Sequence, residues 1–120
     1  MLQNLQEYSV VAKVNVSNLA ASVVWYESKL DMVTDPAYQR PTWEQLNFPG
    51  KSGFAVGLNL DADHVGTGGA STTFVVTNIE AARNELISRG VEVSPVQNAE
   101  GVLLAFFSDP DGNSLGLRQN

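Results

Sequence analysis

Leu103 to Gln119 reads LLAFFSDPDGNSLGLRQ, an apolar run, a turn cluster and a second alternating run. Pro110 sets φ for the first corner of the turn. Gly112 and Asn113 tolerate positive φ, so the turn can be tight. Two strand-like runs around such a cluster predict a β-hairpin. On its own this is an ordinary hairpin, and the rest of the chain decides what it belongs to.

Working backwards, the chain shows the same order of elements twice. Tyr8 to Val16 (YSVVAKVNV) alternates with a period of two and predicts a strand with Val10, Ala12, Val14 and Val16 on one face. Asn18 then caps a helix over Leu19–Leu30, whose apolar residues Leu19, Val23, Tyr26 and Leu30 recur at three to four. Pro36 disfavours helical geometry at Asp35, and a short extra strand fits around residues 33–38. Strands are expected over Thr42–Phe48 and Phe54–Leu60, turned by Pro49 to Gly53. Asp61 to Ser71 (DADHVGTGGAS) is small, polar and glycine-rich, and predicts a connector. Beyond it, Ser71–Thr77 predicts a strand. Asn78 caps a helix over Ile79–Arg89, which Gly90 ends. Val91-Glu92-Val93 predicts a short strand, Pro95–Gly101 a loop, and the hairpin closes the chain.

The halves superimpose with an offset of 60 residues (76 minus 16). Val16, Asn18 and Ala21 recur as Val76, Asn78 and Ala81 within a nine-residue match. An offset of half the chain length, with one element order on both sides, points to two copies of one supersecondary unit.

Composition narrows the function. At 120 residues, with 43% apolar and 17% charged residues, the chain suits one domain with its own core. It has no cysteine, hence no disulfide, thiolate ligand or cysteine nucleophile, which fits a reducing cytoplasm. The net charge of −6 argues against nucleic-acid binding. No signal-like N-terminus and no run of membrane-spanning length is present. His64 is the only histidine, so no Ser-His-Asp arrangement can be assembled around another. It sits in the connector and reads as a solvated surface residue. Gly66-Thr67-Gly68-Gly69 lacks the lysine and the context of a phosphate loop.

Three pieces in order resemble the vicinal oxygen chelate superfamily, the glyoxalase/bleomycin resistance/dioxygenase fold. Val16-Ser17-Asn18-Leu19, with Ser22, Trp25-Tyr26 and Leu30-Asp31-Met32 behind it, resembles the opening strand and helix, with Asp31 where glycine is usual. Phe74 to Val93, ending in RGVEV, resembles the start of the second module. Phe107 to Asn113, an aromatic strand entering DPDGN, resembles the most recognisable signature. The resemblance implies an α+β fold of two βαβββ modules forming a cup-shaped mixed sheet. The modules would occupy 5–60 and 71–119, joined by a linker at 61–71, in a single domain at 1–120. It also implies a homodimer.

Metal-dependent relatives carry His, Gln or Glu at inward strand positions. The matching positions here are Val11, Ser71, Gly116 and one near Gly57 to Asn59. A divalent metal in an N/O site wants three or four converging donors, which these residues do not supply. The resemblance is therefore closest to metal-free, bleomycin-resistance-type members, with no metal and no cofactor. Strand parity then lines the cup with Val11, Lys13, Asn15, Trp43, Gln45, Asn59, Ser71, Thr73, Gly116 and Arg118. Asn47 and Val75 share the same parity, and Leu115 and Leu117 pack outward. Trp43 would either stack on a flat ligand or simply pack. Lys13 and Arg118 would either face the cup or be solvated edge charges. Glu44 becomes a cavity carboxylate only if the parity of its strand shifts by one. Asp109 and Asp111 read as turn residues. The expected function is sequestration of a small aromatic or cationic, antibiotic-like compound. The alternatives are a metal-dependent lyase or dioxygenase of the glyoxalase type with displaced ligands, and a module whose cup is filled by its own side chains.

Overall fold

The computed structural model describes residues 10–51, 53–66 and 71–120. The chain divides into two compact units, residues 1–65 and 66–120. Tyr8, Ser9 and residues 67–70 of the expected connector lie outside the described residues.

In the first unit β1 (Val10–Val16) leads to α1 (Leu19–Leu30), β2 (Val33–Thr34), β3 (Trp43–Asn47) and β4 (Phe54–Leu60). The sheet order is β1-β4-β3-β2, with β1 parallel to β4 and the other pairs antiparallel. Asn18 caps α1 through its side chain, which accepts from Ala21 N at 3.0 Å. One face of the sheet and α1 bury Val16, Tyr26, Met32, Leu46, Val56 and Leu58 almost completely. Each such side chain contributes about 1.5–3 kcal/mol to folding. A parallel β1–β4 pair cannot be joined by a tight turn, and the intervening helix and antiparallel strands supply the crossover.

In the second unit β5 (Thr72–Val75), α2 (Ile79–Ser88), β6 (Gln97–Ala99), β7 (Val102–Ser108) and β8 (Ser114–Gln119) give the order β5-β8-β7-β6. Asn78 repeats the cap, accepting from Ala81 N at 3.1 Å. Ile79, Leu86, Ala105, Phe107, Leu115 and Leu117 form the core. The fold is α+β, two βαβββ modules, and the internal repeat is a repeat of topology.

The expected strand at Val91–Val93 does not form, and the expected loop at Pro95–Gly101 contains β6. Val91 is used as a helix stop: its N–H bonds to Leu86 O at 3.0 Å and its side chain is buried. Arg83 then ties Val93 and Ser94 to α2, donating to Ser94 O at 2.8 Å and Val93 O at 3.2 Å. Ser94 N–H reaches Phe106 O of β7 at 2.8 Å, and the paired register of β6 with β7 begins at Gln97 opposite Leu104. Its hairpin turn places Glu100 (φ 55°) and Gly101 (φ 90°) both in the left-handed region, as a type I′ turn requires. Helix α2 ends at Ser88, not Arg89, and β5 is shorter than the expected Ser71–Thr77.

The Asp109–Asn113 turn is organised by hydrogen bonds to one carboxylate. Asp109 is buried and accepts from Asp111 N and Asn113 N (both 2.9 Å) and from Asn113 Nδ2 (2.8 Å). Among the described residues no helix is long and apolar enough to cross a membrane.

Candidate functional site

Register assigns the side chains to faces. In β1 and β4, Lys13 lies beside Gly57 and Asn15 beside Asn59; β3 adds Gln45 beside Gly57 and Trp43 beside Asn59. Because faces alternate, Val11, Lys13, Asn15, Trp43, Gln45, Gly57 and Asn59 all occupy the sheet face opposite α1. Glu44 and Leu46 take the helix face.

Trp43 leans across its strand neighbour. Its six-membered ring occupies the space where a side chain at Gly57 would begin, and its Nε1 donates to Gln45 Oε1 at 3.1 Å. Gln45 is only 5% exposed. Asn59 and Asn15 are committed to the fold: Asn59 Nδ2 donates to Asn15 Oδ1 (3.1 Å), and Asn15 Nδ2 donates to His64 O (3.2 Å). The second bond docks the turn Ala62–His64 onto β1, so this part of the connector is a one-turn 3₁₀ segment.

His64 is the last residue of that turn, with its side chain 66% exposed. Its Nδ1 sits 2.9–3.0 Å from both carboxylate oxygens of Asp61. That hydrogen bond is the largest cause that holds the Asp61 carboxyl below its ordinary range. Glu44 is buried on the helix side, bonded by Gln39 Nε2. The parity shift that would make it a cavity carboxylate does not occur.

The second unit carries a parallel arrangement. Thr73, Gly116 and Phe106 form one row across β5, β8 and β7, and Val75, Arg118 and Leu104 the next. A Cβ at Gly116 would meet Thr73 Oγ1 at 3.2 Å and the Phe106 ring at 3.3 Å. Ser71 lies just before β5, where Ser114 Oγ donates to its hydroxyl at 3.0 Å. Arg118 is exposed and donates to Asn120 Oδ1 at 2.7 Å. Phe106, 38% exposed, belongs to this face and was missed in sequence. The signal was available, since burial of Phe107 forces its neighbour to the opposite side. Each module thus has a glycine at the centre of its last strand, on the face away from its helix, with an aromatic ring from the preceding strand against it.

The family model for the Glyoxalase/Bleomycin resistance protein/Dioxygenase superfamily matches residues 9–117. The chain belongs to this superfamily. Solved structures share its fold across nearly the whole chain. An integron cassette protein from the mobile metagenome of the Halifax Harbour sewage outfall is 24% identical, with TM-score 0.80 over 99% of this chain and 100% of that one. TnmS3, an antibiotic binding protein from Streptomyces sp. CB03234, is 23% identical, with TM-score 0.78 over 98% and 96%. A superfamily member from Sphaerobacter thermophilus DSM 20745 is 24% identical, with TM-score 0.74 over 92% and 94%. No curated protein matches the chain in sequence.

The superfamily's metal-dependent members pose a fit test. Val11 and the Gly57–Asn59 stretch on the first face, and Ser71 and Gly116 on the second, offer one hydroxyl and the neutral Asn59 amide; the hydroxyl already accepts from Ser114 and the amide donates to Asn15. Among the described residues no group of three or more His, Cys, Asp or Glu is placed to hold a metal ion. Carboxylate or imidazole at position 57 would also collide with the Trp43 ring. These residues do not fit a divalent metal of the superfamily's kind.

Proposed function

We propose that the protein binds a small planar aromatic compound on the Trp43 face and acts by sequestration, one ligand removed from solution per site and no bond made. The observation that carries this is the seating of the indole over Gly57. A strand centre stripped of its side chain makes room for one large aromatic surface, held in orientation by Gln45. Aromatic stacking adds about 0.5–1.5 kcal/mol beyond buried area. Membership in a superfamily that includes bleomycin resistance proteins supports the reading, as does likeness to an antibiotic binding protein. A metal-dependent lyase or dioxygenase reading would require donors that positions 11, 57, 71 and 116 lack. We take residues 61–71 as the connector between modules at 5–60 and 71–119 of one domain, and the working form as a homodimer, which sedimentation equilibrium would test.

The functional test is tryptophan emission of the full chain titrated with bleomycin-type and flat aromatic antibiotics. Trp25, edge-on to buried Tyr26 in α1 at 5.0 Å, also emits. The Trp43→Phe variant separates the two. Saturable quenching lost in that variant is the expected result. Quenching that survives it, or a flat titration across the panel, overturns the assignment to this face.

A further inference from the structure

Gln45 carries chemistry that the fold leaves unused. Its Oε1 accepts from the Trp43 indole. An indole N–H can only donate, so the amide cannot be turned over, and its NH₂ end must point away from the ring. Among the described residues that Nε2 meets no protein acceptor, and it is not sealed in the core. Gln45 is 95% buried as a residue, and its accessible NH₂ end, with no protein acceptor, is a donor that a ligand on the aromatic platform can reach. Lys13, on the same face in the same row across Gly57, is a second donor of the same polarity.

We infer that Gln45 selects ligands whose aromatic ring bears an acceptor at its edge, a carbonyl or carboxylate oxygen, and discriminates against cationic rings. This rests on the Trp43 reading and goes further, since stacking alone would welcome either class. An acceptor would complete the Gln45 amide, while an ammonium would face an NH₂ and a lysine.

The test uses the intact protein and two neutral probes of the same shape, 2-acetylnaphthalene and 2-ethylnaphthalene, with 2-naphthylmethylammonium as the cationic comparison. Binding is followed by ¹H–¹⁵N NMR at the Trp43 indole and the Gln45 side-chain amide. The wild type should bind the acetyl probe about fivefold more tightly than the ethyl probe, the worth of one ordinary hydrogen bond. Gln45→Glu keeps an oxygen for the indole and removes the donor. It should abolish the acetyl preference and improve binding of the ammonium. Equal binding of the two neutral probes, or tighter binding of the ammonium to the wild type, overturns the inference while a continuing dependence on Trp43 leaves the stacking platform standing. If binding of every probe is indifferent to Trp43→Phe, both fall.

Discussion

The ring of Trp43 stands where the side chain of residue 57 would begin, so the two positions share one volume. Gly57→Ala must therefore push the indole aside. We expect a loss of about 1–3 kcal/mol in urea unfolding and a red-shifted tryptophan emission. In the Trp43→Phe background the same alanine should cost less, because the obstructing atoms are gone. Equal costs in both backgrounds would refute the shared volume.

Asp109 anchors the hairpin that closes the second module. Asp109→Ala leaves the buried N–H and amide of Asn113 without their acceptors. A drop of about 2–4 kcal/mol is expected. Asp109→Asn should fall between, since one oxygen remains while an NH₂ is set against the Asn113 amide. Denaturant midpoints of the three proteins rank them.

Glu44 is the acidic residue that a catalytic account would have chosen first, and it lies on the helix side of its sheet. Glu44→Gln should leave the Trp43 response to aromatic ligands unchanged and lower stability by no more than about 1 kcal/mol, the worth of its bond to Gln39. A collapse of ligand binding in a variant with a normal melting curve would reverse this.

Asp61 gives the stability a pH dependence of definite sign. Its carboxyl is held low in the folded chain, first by the His64 hydrogen bond. A depressed carboxyl stabilises above the unfolded value of about 3.9, and the gain is lost as pH falls through the folded value. The Tm difference between wild type and Asp61→Asn should be present at pH 6 and shrink progressively as pH falls below the unfolded value. An unchanged difference at pH 3 would show that the carboxylate charge is not its source.

What could be foreseen followed from local rules. Helix α1 begins at Asn18 and β4 spans Phe54–Leu60 because a cap and a strict alternation each suffice without distant help. The topology repeat followed from matching caps. Residues 91–101 defeated the reading because tertiary bonds overrode propensity. Two valines with strand preference were taken as a helix stop and its extension. The polar Gln97-Asn98-Ala99 became a strand through its register with β7 and a turn carrying a glutamate at positive φ. Faces of the sheets were legible from parity. The bond that orients Gln45 was not, since it depends on the direction in which Trp43 leans.

The two helix exits solve one geometric problem with different residues. Gly90 takes positive φ at 83° after α2, where glycine is at ease, whereas Asp31 takes it at 61° after α1. The first module thus holds an unclaimed reserve of thermal tolerance at an exposed position on the helix side of its sheet. Evolution or an engineer could draw on it by placing glycine at position 31, offsetting a costly change on the strands that carry Trp43 and Gln45. That sheet face can then vary more widely than the stability of the present chain would by itself permit.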